Sequence, residues 1–206
     1  MMRWARRGAA LLGAFISLTG VAISAAEEPP SPPDSIEGTL GPCLFCHGPG
    51  GVSQTNGAPN LAAAPELFLE WQLLYFRWET RKNELMTPAA ATLTDDDIRD
   101  MSAYFASLPP PPPPSTPDLD PALTATGAKI VRDRHCAQCH TPTFAGSGEM
   151  PRLAGQHEEY IVKALHDYQH NARRGRGNVI MPELAYGMTE DDIHAIAHFL
   201  SRQPQD

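Results

Sequence analysis

All four cysteines of this chain lie in two copies of one short motif, Cys-x-x-Cys-His, at residues 43–47 and 136–140. This spacing is typical of covalent c-type haem attachment, in which the two thiols form thioether bonds with the vinyl groups of one haem. The histidine that follows then reaches the iron from the same side. The sequence therefore predicts two covalently bound haem c groups. The predicted attachment residues are Cys43, Cys46, Cys136 and Cys139, and the predicted proximal iron ligands are His47 and His140.

Two other chemistries use paired cysteines. Disulfides are common in exported proteins, but a Cys-x-x-Cys pair closes only a very small loop and leaves the following histidine unexplained. Structural zinc sites place their two cysteine pairs about 15–20 residues apart, whereas Cys46 and Cys136 are separated by 90 positions. Haem attachment is the interpretation that accounts for both motifs.

The two motifs belong to a longer internal repeat. Three blocks recur in the same order at offsets of 92 to 95 residues: 43–47 with 136–140, 59–62 with 151–154, and 93–98 with 188–193. Self-similarity of this kind indicates a duplicated structural unit. The chain is therefore predicted to contain two copies of one small domain.

The segment between the copies contains six consecutive prolines, Pro109 to Pro114. Proline lacks the backbone N–H that helices and sheets require, so this segment is predicted to be an extended polyproline II rod. The expected parts of the chain are a signal peptide at 1–26, an N-terminal domain at 27–108, a linker at 109–117 and a C-terminal domain at 118–206. A stiff linker leaves open whether the two domains pack against each other.

The residue pattern within each copy is helical, and no segment is predicted as a strand. Thr94 and Thr189 each open a sequence that resembles a capping box, ahead of an amphipathic C-terminal helix. A second helix per copy is predicted at 65–83 and at 156–172. The predicted fold class is all-α, with two tandem small domains that each wrap around a covalently bound haem.

A further helix is predicted at 123–135, leading into the second haem motif. It is expected to contact the C-terminal helix of its copy at a small residue, Gly127 or Ala128. The corresponding helix of the first copy is expected to be broken, because residues 38–42 contain two glycines and a proline.

The N-terminus has the composition of a secretory signal. Three arginines precede an apolar run at 8–23, and small residues at 24–26 fit a cleavage site. An uncleaved membrane anchor is the alternative, but the run is short for a span of about 20 residues. We therefore expect export to the periplasm, with no stable membrane span after cleavage.

The net charge excludes one class of partner. The full chain has 16 Lys and Arg and 24 Asp and Glu, and three of the arginines lie in the signal. The remaining 180 residues therefore carry a formal net charge of −11, with most of the excess in the N-terminal copy. Nucleic acid would be repelled. The charge suits docking onto a basic surface of another protein.

The repeat also selects candidates for the second axial ligand of each iron. Met86 and Met181 are related by the offset of 95 and lie just before the C-terminal helices. Methionine at this position raises the reduction potential of a c-type haem. Histidine is the alternative, but the first copy has none besides His47. The second copy offers six further histidines, each interpreted as a surface or packing residue: His135, His157, His166, His170, His194 and His198.

Two smaller features have candidate roles at the haem. Pro59 and Pro151 follow their haem motifs by 12 and 11 residues, and their carbonyls are candidates to accept a hydrogen bond from the proximal imidazole. Arg173, Arg174 and Arg176 form a basic cluster before Met181. This cluster has three interpretations: a pair with a haem propionate, a pair with the acidic domain, or a solvated loop.

The chain resembles the diheme class I cytochromes c of the cytochrome c4 type over residues 36–206. The resemblance rests on both Cys-x-x-Cys-His motifs, the Pro-x-Leu-Ala segments, the Met86-Thr-Pro and Met181-Pro sequences, and the acidic starts of the C-terminal helices. It implies a periplasmic electron carrier with two His/Met haems. The implied partners are redox proteins: a respiratory complex, a terminal oxidase or a dehydrogenase.

Two other functions remain as alternatives. The chain fits a haem subunit of a multi-protein dehydrogenase that oxidises sulfide or alcohol. A haem enzyme in its own right is the less favoured alternative, because an iron with both axial positions filled has no open site for a substrate. The assignments of Met86 and Met181 therefore separate an electron carrier from an enzyme.

Overall fold

The computed structural model of the chain describes residue 1 and residues 30–55, 57–112, 120–173 and 180–204. The predicted signal peptide lies outside the described residues apart from Met1. The proline linker is described as far as Pro112, so the rest of the expected polyproline rod also lies outside them.

Helices occur in the same order in both copies. In the first copy they are α1 (Asp34–His47), α2 (Glu66–Arg77), α3 (Met86–Ala91) and α4 (Asp95–Ser107). In the second copy they are α5 (Pro121–Asp133), α6 (Ala137–His140), α7 (Glu158–Gln169), α8 (Ile180–Ala185) and α9 (Glu190–Ser201). Over the described ranges, other regular structure is limited to a short 3-10 turn and two isolated β-bridges, which confirms the all-α fold class. None of the helices in these ranges is both long enough and apolar enough to span a membrane.

Helix α1 is continuous, with Pro42 inside it, so the expected break before the first haem motif is wrong. An interior proline removes a backbone hydrogen bond and disfavours a helix by about 3 kcal/mol. The helix persists because Ile36 and Leu40 are buried, at 0% and 3% exposure, on the same side as His47. Packing against the rest of the domain therefore outweighs the weak local propensity.

Each copy has its own hydrophobic cluster. In the first, Ile36 of α1 and Met101 of α4 are fully buried together. In the second, Val131 of α5 and Ile196 of α9 are buried in one cluster. In both copies the helix that carries or precedes the haem motif therefore packs on the C-terminal helix, and this contact fixes where the motif lies.

Both C-terminal helices begin with a complete capping box, as the sequence predicts. The Thr94 hydroxyl accepts the Asp97 amide hydrogen at 3.1 Å, and the Asp97 carboxylate accepts the Thr94 amide hydrogen at 2.8 Å. Thr189 and Asp192 make the same two bonds, each at 3.1 Å. Two of the otherwise unpaired amides at each helix start are thereby satisfied.

The two domains contact each other directly, which answers the question that the linker left open. The Gln156 side chain exchanges two hydrogen bonds, both 2.9 Å long, with the backbone N–H and C=O of Asn60. Arg152 donates from Nε to the carbonyl of Ala63 at 3.2 Å. The loop that follows each haem motif therefore meets its counterpart from the other domain.

Helices α5 and α9 approach each other most closely at Gly127. A Cβ atom at this position would lie 2.0 Å from the carbonyl oxygen of Ala195 and 2.7 Å from the Cβ of Phe199. Since no side chain fits between these backbones, the predicted small residue at the crossing is confirmed.

We predict that Gly127→Ala lowers the free energy of unfolding of the haem-loaded protein by about 1–3 kcal/mol, because the added methyl group forces α5 and α9 apart. Equilibrium urea denaturation measures the change. Thr126→Ala, on the exposed side of the same helix, is the control and should change the value by less than about 0.5 kcal/mol. An unchanged free energy for Gly127→Ala would contradict the close crossing.

Candidate functional site

A single cavity of about 980 Å³ extends through both domains. This volume is at the upper end of the range of about 300–1,000 Å³ that is usual for ligand pockets. The eight residues that the sequence predicts to bind haem or iron all line it: Cys43, Cys46, His47, Met86, Cys136, Cys139, His140 and Met181. The structure therefore brings every predicted site residue to one connected space, most of whose wall is apolar.

Both predicted proximal histidines are buried and held in one orientation. His47 ends α1 and His140 ends α6, and each is 5% exposed. Their Nδ1 atoms lie 2.8 Å from the carbonyl of Pro59 and 3.0 Å from the carbonyl of Pro151. Because a carbonyl only accepts, each Nδ1 must carry the proton, which leaves Nε2 free to bind a metal. The prediction that these two carbonyls accept from the imidazoles is confirmed.

Burial shifts the pKa of both proximal histidines and of the first thiol in each motif. Burial lowers the pKa of both His47 and His140, so the neutral imidazole that binds iron is favoured. Burial raises the pKa of Cys43 and Cys136. These thiols therefore remain protonated and uncharged in a largely apolar wall.

The candidate methionines begin the two short helices. Met86 is the first residue of α3, and its amide donates to Oδ1 of Asn83 at 2.9 Å, which fixes the turn before it. Met181 is the second residue of α8. Three further methionines also line the cavity, so lining alone does not select the ligand: Met101, Met150 and Met188. Of these, Met101 and Met188 belong to the hydrophobic clusters.

Most of the alternative histidines lie away from the cavity. Of the six, only His135 is among the described residues that line it. His166 and His198 pair instead with Glu190 and Glu158, each at 3.2 Å. These contacts fit the surface and packing roles that the sequence analysis gave them.

Two buried arginines meet where the domains join. Arg81 comes from the first domain and Arg173 from the second, and they are 9% and 3% exposed. Their backbones form an isolated antiparallel bridge. Both guanidiniums donate to one oxygen, Oε1 of Gln72, at 2.7 and 3.0 Å. Of the basic cluster named above, Arg173 is therefore not in a solvated loop; Arg174 and Arg176 lie outside the described residues.

Arg81 was not among the residues predicted from the sequence to lie at the site. The signal was present, since Arg81 and Arg173 are related by the offset of 92 that also relates Pro59 to Pro151. A basic residue that recurs at the repeat offset in both copies has an equivalent position in both domains. Comparison of charged residues across the repeat would therefore have found the pair.

In the described part of the chain the arginine pair has no ion-pair partner. Burial lowers the pKa of Arg173, but the net shift is upward, because Tyr168, Tyr160 and Asp167 outweigh burial. Arg81 stacks over Phe76 at 4.5 Å and Arg173 over Tyr168 at 4.9 Å, but among the described residues no carboxylate forms an ion pair with either. The Nε of Arg173 is buried without a hydrogen-bond partner. A buried charge of this kind requires an anion.

Haem fits these residues, because it brings the carboxylates that the protein does not supply. The two propionates of each haem would satisfy Arg81 and Arg173, both of which line the cavity. The thiol pairs match the vinyl groups, and the free Nε2 atoms of His47 and His140 match the iron. A helical fold in two copies, each with a Cys-x-x-Cys-His motif ending in a buried histidine, defines a two-domain class I c-type cytochrome.

Comparisons with known proteins give the family. A family model described as "Cytochrome c" matches residues 124–203. A cytochrome c4 from Thiocapsa roseopersicina is 33% identical over 172 residues, which cover 78% of this chain and 86% of that protein. A "Thiosulfate dehydrogenase electron acceptor" from Thiomonas intermedia (strain K12) is 30% identical over 177 residues, 79% of this chain and 78% of that protein.

The fold comparison agrees with these sequence matches. The crystal structure of reduced recombinant cytochrome c4 from Pseudomonas stutzeri superposes with a TM-score of 0.72 at 31% identity, covering 81% of this chain and 96% of that one. The chain belongs to the cytochrome c4 family. It is a diheme electron-transfer cytochrome with covalently bound haem c.

Tyr160 reports on the charge of the arginine pair. Its hydroxyl lies 3.3 Å from Arg81. Burial alone raises the pKa of Tyr160, but the positive charges of Arg81 and Arg173 outweigh burial and lower the pKa to about 8 in the polypeptide without haem. With this lowered pKa, ionised Tyr160 would stabilise the folded state fully above pH 10. This stabilisation would be lost as the pH falls through about 8.

We predict that in the haem-loaded protein Tyr160 titrates above its ordinary pKa of about 10, because propionates neutralise Arg81 and Arg173 and burial of the phenol then raises its pKa. The measurement is the pH dependence of tyrosinate absorbance, taken as the difference between the parent protein and Tyr160→Phe. The loss of stability as the pH falls through about 8 should then be absent. A phenol titrating near pH 8 would show that the arginines remain unneutralised.

Proposed function

We propose that the mature chain is a periplasmic electron carrier in which each haem iron is bound by one histidine and one methionine. The proposed ligand pairs are His47 with Met86 and His140 with Met181, and the proposed thioether residues are Cys43 with Cys46 and Cys136 with Cys139. The observation that carries this proposal is that all eight residues line one cavity, with each imidazole oriented by a proline carbonyl.

The residues of the chain would hold the haem for fast and reversible electron exchange. Bound haem c supplies an iron that changes its charge by one electron. The bond from each Nδ1 to a proline carbonyl fixes the imidazole ring and tunes its basicity. A methionine ligand, Met86 or Met181, would raise the reduction potential of the iron and would leave it no open position for a substrate. The buried apolar wall would exclude water from the haem. Few solvent molecules would then have to reorient when an electron is transferred.

The boundaries of the signal peptide, the two domains and the linker are taken from the sequence. We propose a signal peptide at 1–26, domains at 27–108 and 118–206, and a linker at 109–117. The separate hydrophobic clusters of α1–α4 and α5–α9 support the division between domains. Export would bring the thiols to the compartment in which bacterial c-type haem is attached, as the resemblance to periplasmic cytochromes implies.

The proposed partners are redox proteins with a basic docking surface, such as a respiratory complex or a terminal oxidase. The first domain is acidic, with 12 Asp and Glu against 4 Lys and Arg over 27–108. Phe45, inside the first haem motif, is 86% exposed, and Leu85, next to Met86, is 72% exposed. Exposed apolar side chains beside the haem, within an acidic surface, suit a transient electron-transfer complex.

A second function is supported by the relative named as an electron acceptor for thiosulfate dehydrogenase. Under this alternative, the chain would be the haem subunit of a dehydrogenase complex and would receive electrons directly from it. Purification of the native protein distinguishes the two functions, since a carrier purifies alone and a subunit purifies with its dehydrogenase.

We predict that Met86→Leu and Met181→Leu each remove the sixth ligand from one haem. Leucine keeps the volume of the side chain but lacks the sulfur. Each variant should lose about half of the weak long-wavelength absorption band of methionine-ligated ferric haem and should bind carbon monoxide at one ferrous haem. Optical spectroscopy of the purified holoprotein measures both effects.

Met101→Leu and Met188→Leu are the matched controls, since these methionines also line the cavity but lie in the hydrophobic clusters. They should keep the band and exclude carbon monoxide, with a loss of stability below about 1.5 kcal/mol. Carbon monoxide binding by both ferrous haems of the parent protein would refute the carrier proposal, because it requires an open iron site.

A further inference from the structure

One peptide group of the first domain is hydrogen-bonded on both sides. The carbonyl of Pro59 accepts from Nδ1 of His47 at 2.8 Å. The N–H of the same peptide unit, which belongs to Asn60, donates to Oε1 of Gln156 at 2.9 Å. Because Gln156 belongs to the second domain, a continuous chain of hydrogen bonds runs from the predicted iron ligand of one domain into the other.

The side chain of Gln156 is held rigidly in this position. Its Oε1 also accepts the amide hydrogen of His157 at 3.0 Å, and its Nε2 donates to the Asn60 carbonyl at 2.9 Å. The residue is 9% exposed. Two N–H groups point at one atom of the amide, so that atom must be the oxygen, and the orientation of the side chain is fixed.

Hydrogen bonds in series strengthen each other, because each one polarises the peptide group between them. An acceptor on the N–H side of the Pro59–Asn60 peptide makes its carbonyl oxygen more negative. That oxygen then draws the Nδ1 proton of His47 more strongly, which makes the imidazole more basic toward iron. A more basic ligand favours ferric over ferrous iron and so lowers the reduction potential.

We infer that Gln156 is a positioning residue that acts across the domain interface and lowers the reduction potential of the N-terminal haem. This inference rests on the proposed function, because it takes His47 as the proximal ligand. In this inference Gln156 acts through the Pro59–Asn60 peptide and not as an iron ligand.

At the equivalent position of the first domain the side chain is apolar. At the repeat offset of 92, the residue that corresponds to Gln156 is Ala64, which has no polar side-chain atom. An alanine side chain cannot accept a hydrogen bond, so position 64 cannot polarise the Pro151 peptide of the second domain in this way.

The test is Gln156→Met in the haem-loaded full chain, which keeps the length of the side chain and removes the acceptor oxygen. The N-terminal haem should become easier to reduce, and the equilibrium constant for electron exchange between the two haems should shift toward it on the order of threefold. This corresponds to about 28 mV at 59 mV per tenfold for one electron. A redox titration, with each haem followed by its own NMR signals, measures both potentials.

A second measurement follows the proximal imidazole directly. In the Gln156→Met protein the Nδ1 proton of His47 should be held less strongly by the Pro59 carbonyl and should exchange faster with D₂O, while that of His140 keeps its rate. Gln156→Glu retains an acceptor oxygen and should keep the slow exchange. If Gln156→Met does not fold, faster exchange in Gln156→Ala with slow exchange in Gln156→Glu supports the inference, and equal rates in the two overturn it.

The matched control is His157→Leu, which removes another contact between the domains, from Nε2 of His157 to the carbonyl of Ser53 at 3.1 Å. This contact does not involve the Pro59–Asn60 peptide, so the potentials should stay unchanged. Unchanged potentials in Gln156→Met, an equal shift at both haems, or the same shift in His157→Leu would overturn the inference. Loss of the methionine–iron band in the parent protein would instead show that the proposed function has failed.

Discussion

A buried imidazole can serve as an iron ligand only if its second nitrogen is satisfied, and both domains meet this requirement with a proline carbonyl. The bonds from His47 to Pro59 and from His140 to Pro151 are 2.8 and 3.0 Å long. Each one ties the end of the motif helix to the loop that follows it. Each loop also contacts the C-terminal helix of its own domain, since the amides of Ala63 and Gly155 donate to the carbonyls of Phe105 and Leu200 at 3.0 and 3.3 Å.

The same loops carry the domain interface. Asn60 and Arg152, the residues immediately after the two prolines, both bond to the other domain. The environment of each proximal histidine is therefore linked to how the domains pack. This link follows from the duplication, because each copy of the structural unit supplies both an iron site and one side of the domain interface.

Much of this arrangement could be predicted from the sequence because it is encoded locally. The haem motifs, the capping boxes at Thr94 and Thr189, and the small residue at the α5–α9 crossing depend on nearby residues with strong preferences. The repeat added long-range information, because residues at equal offsets have equal roles. It identified Pro59 and Pro151, whose carbonyls bond to the histidines.

The remaining features depend on tertiary packing and could not be predicted in the same way. The continuity of α1 through Pro42 is decided by the burial of Ile36 and Leu40, which local propensity does not include. The repeat relates Arg81 to Arg173, but it does not show that Arg81 is buried, since an arginine beside a lysine usually indicates a solvated surface. The choice among the cavity-lining methionines rests on the repeat alone.

The meeting of Arg81 and Arg173 has a consequence for how the molecule assembles. Two guanidinium groups that share one acceptor, Gln72, repel each other when the halves approach without anions between them. Cofactor loading supplies those anions on both sides. We therefore expect the two domains to dock more tightly once both haems are attached than before.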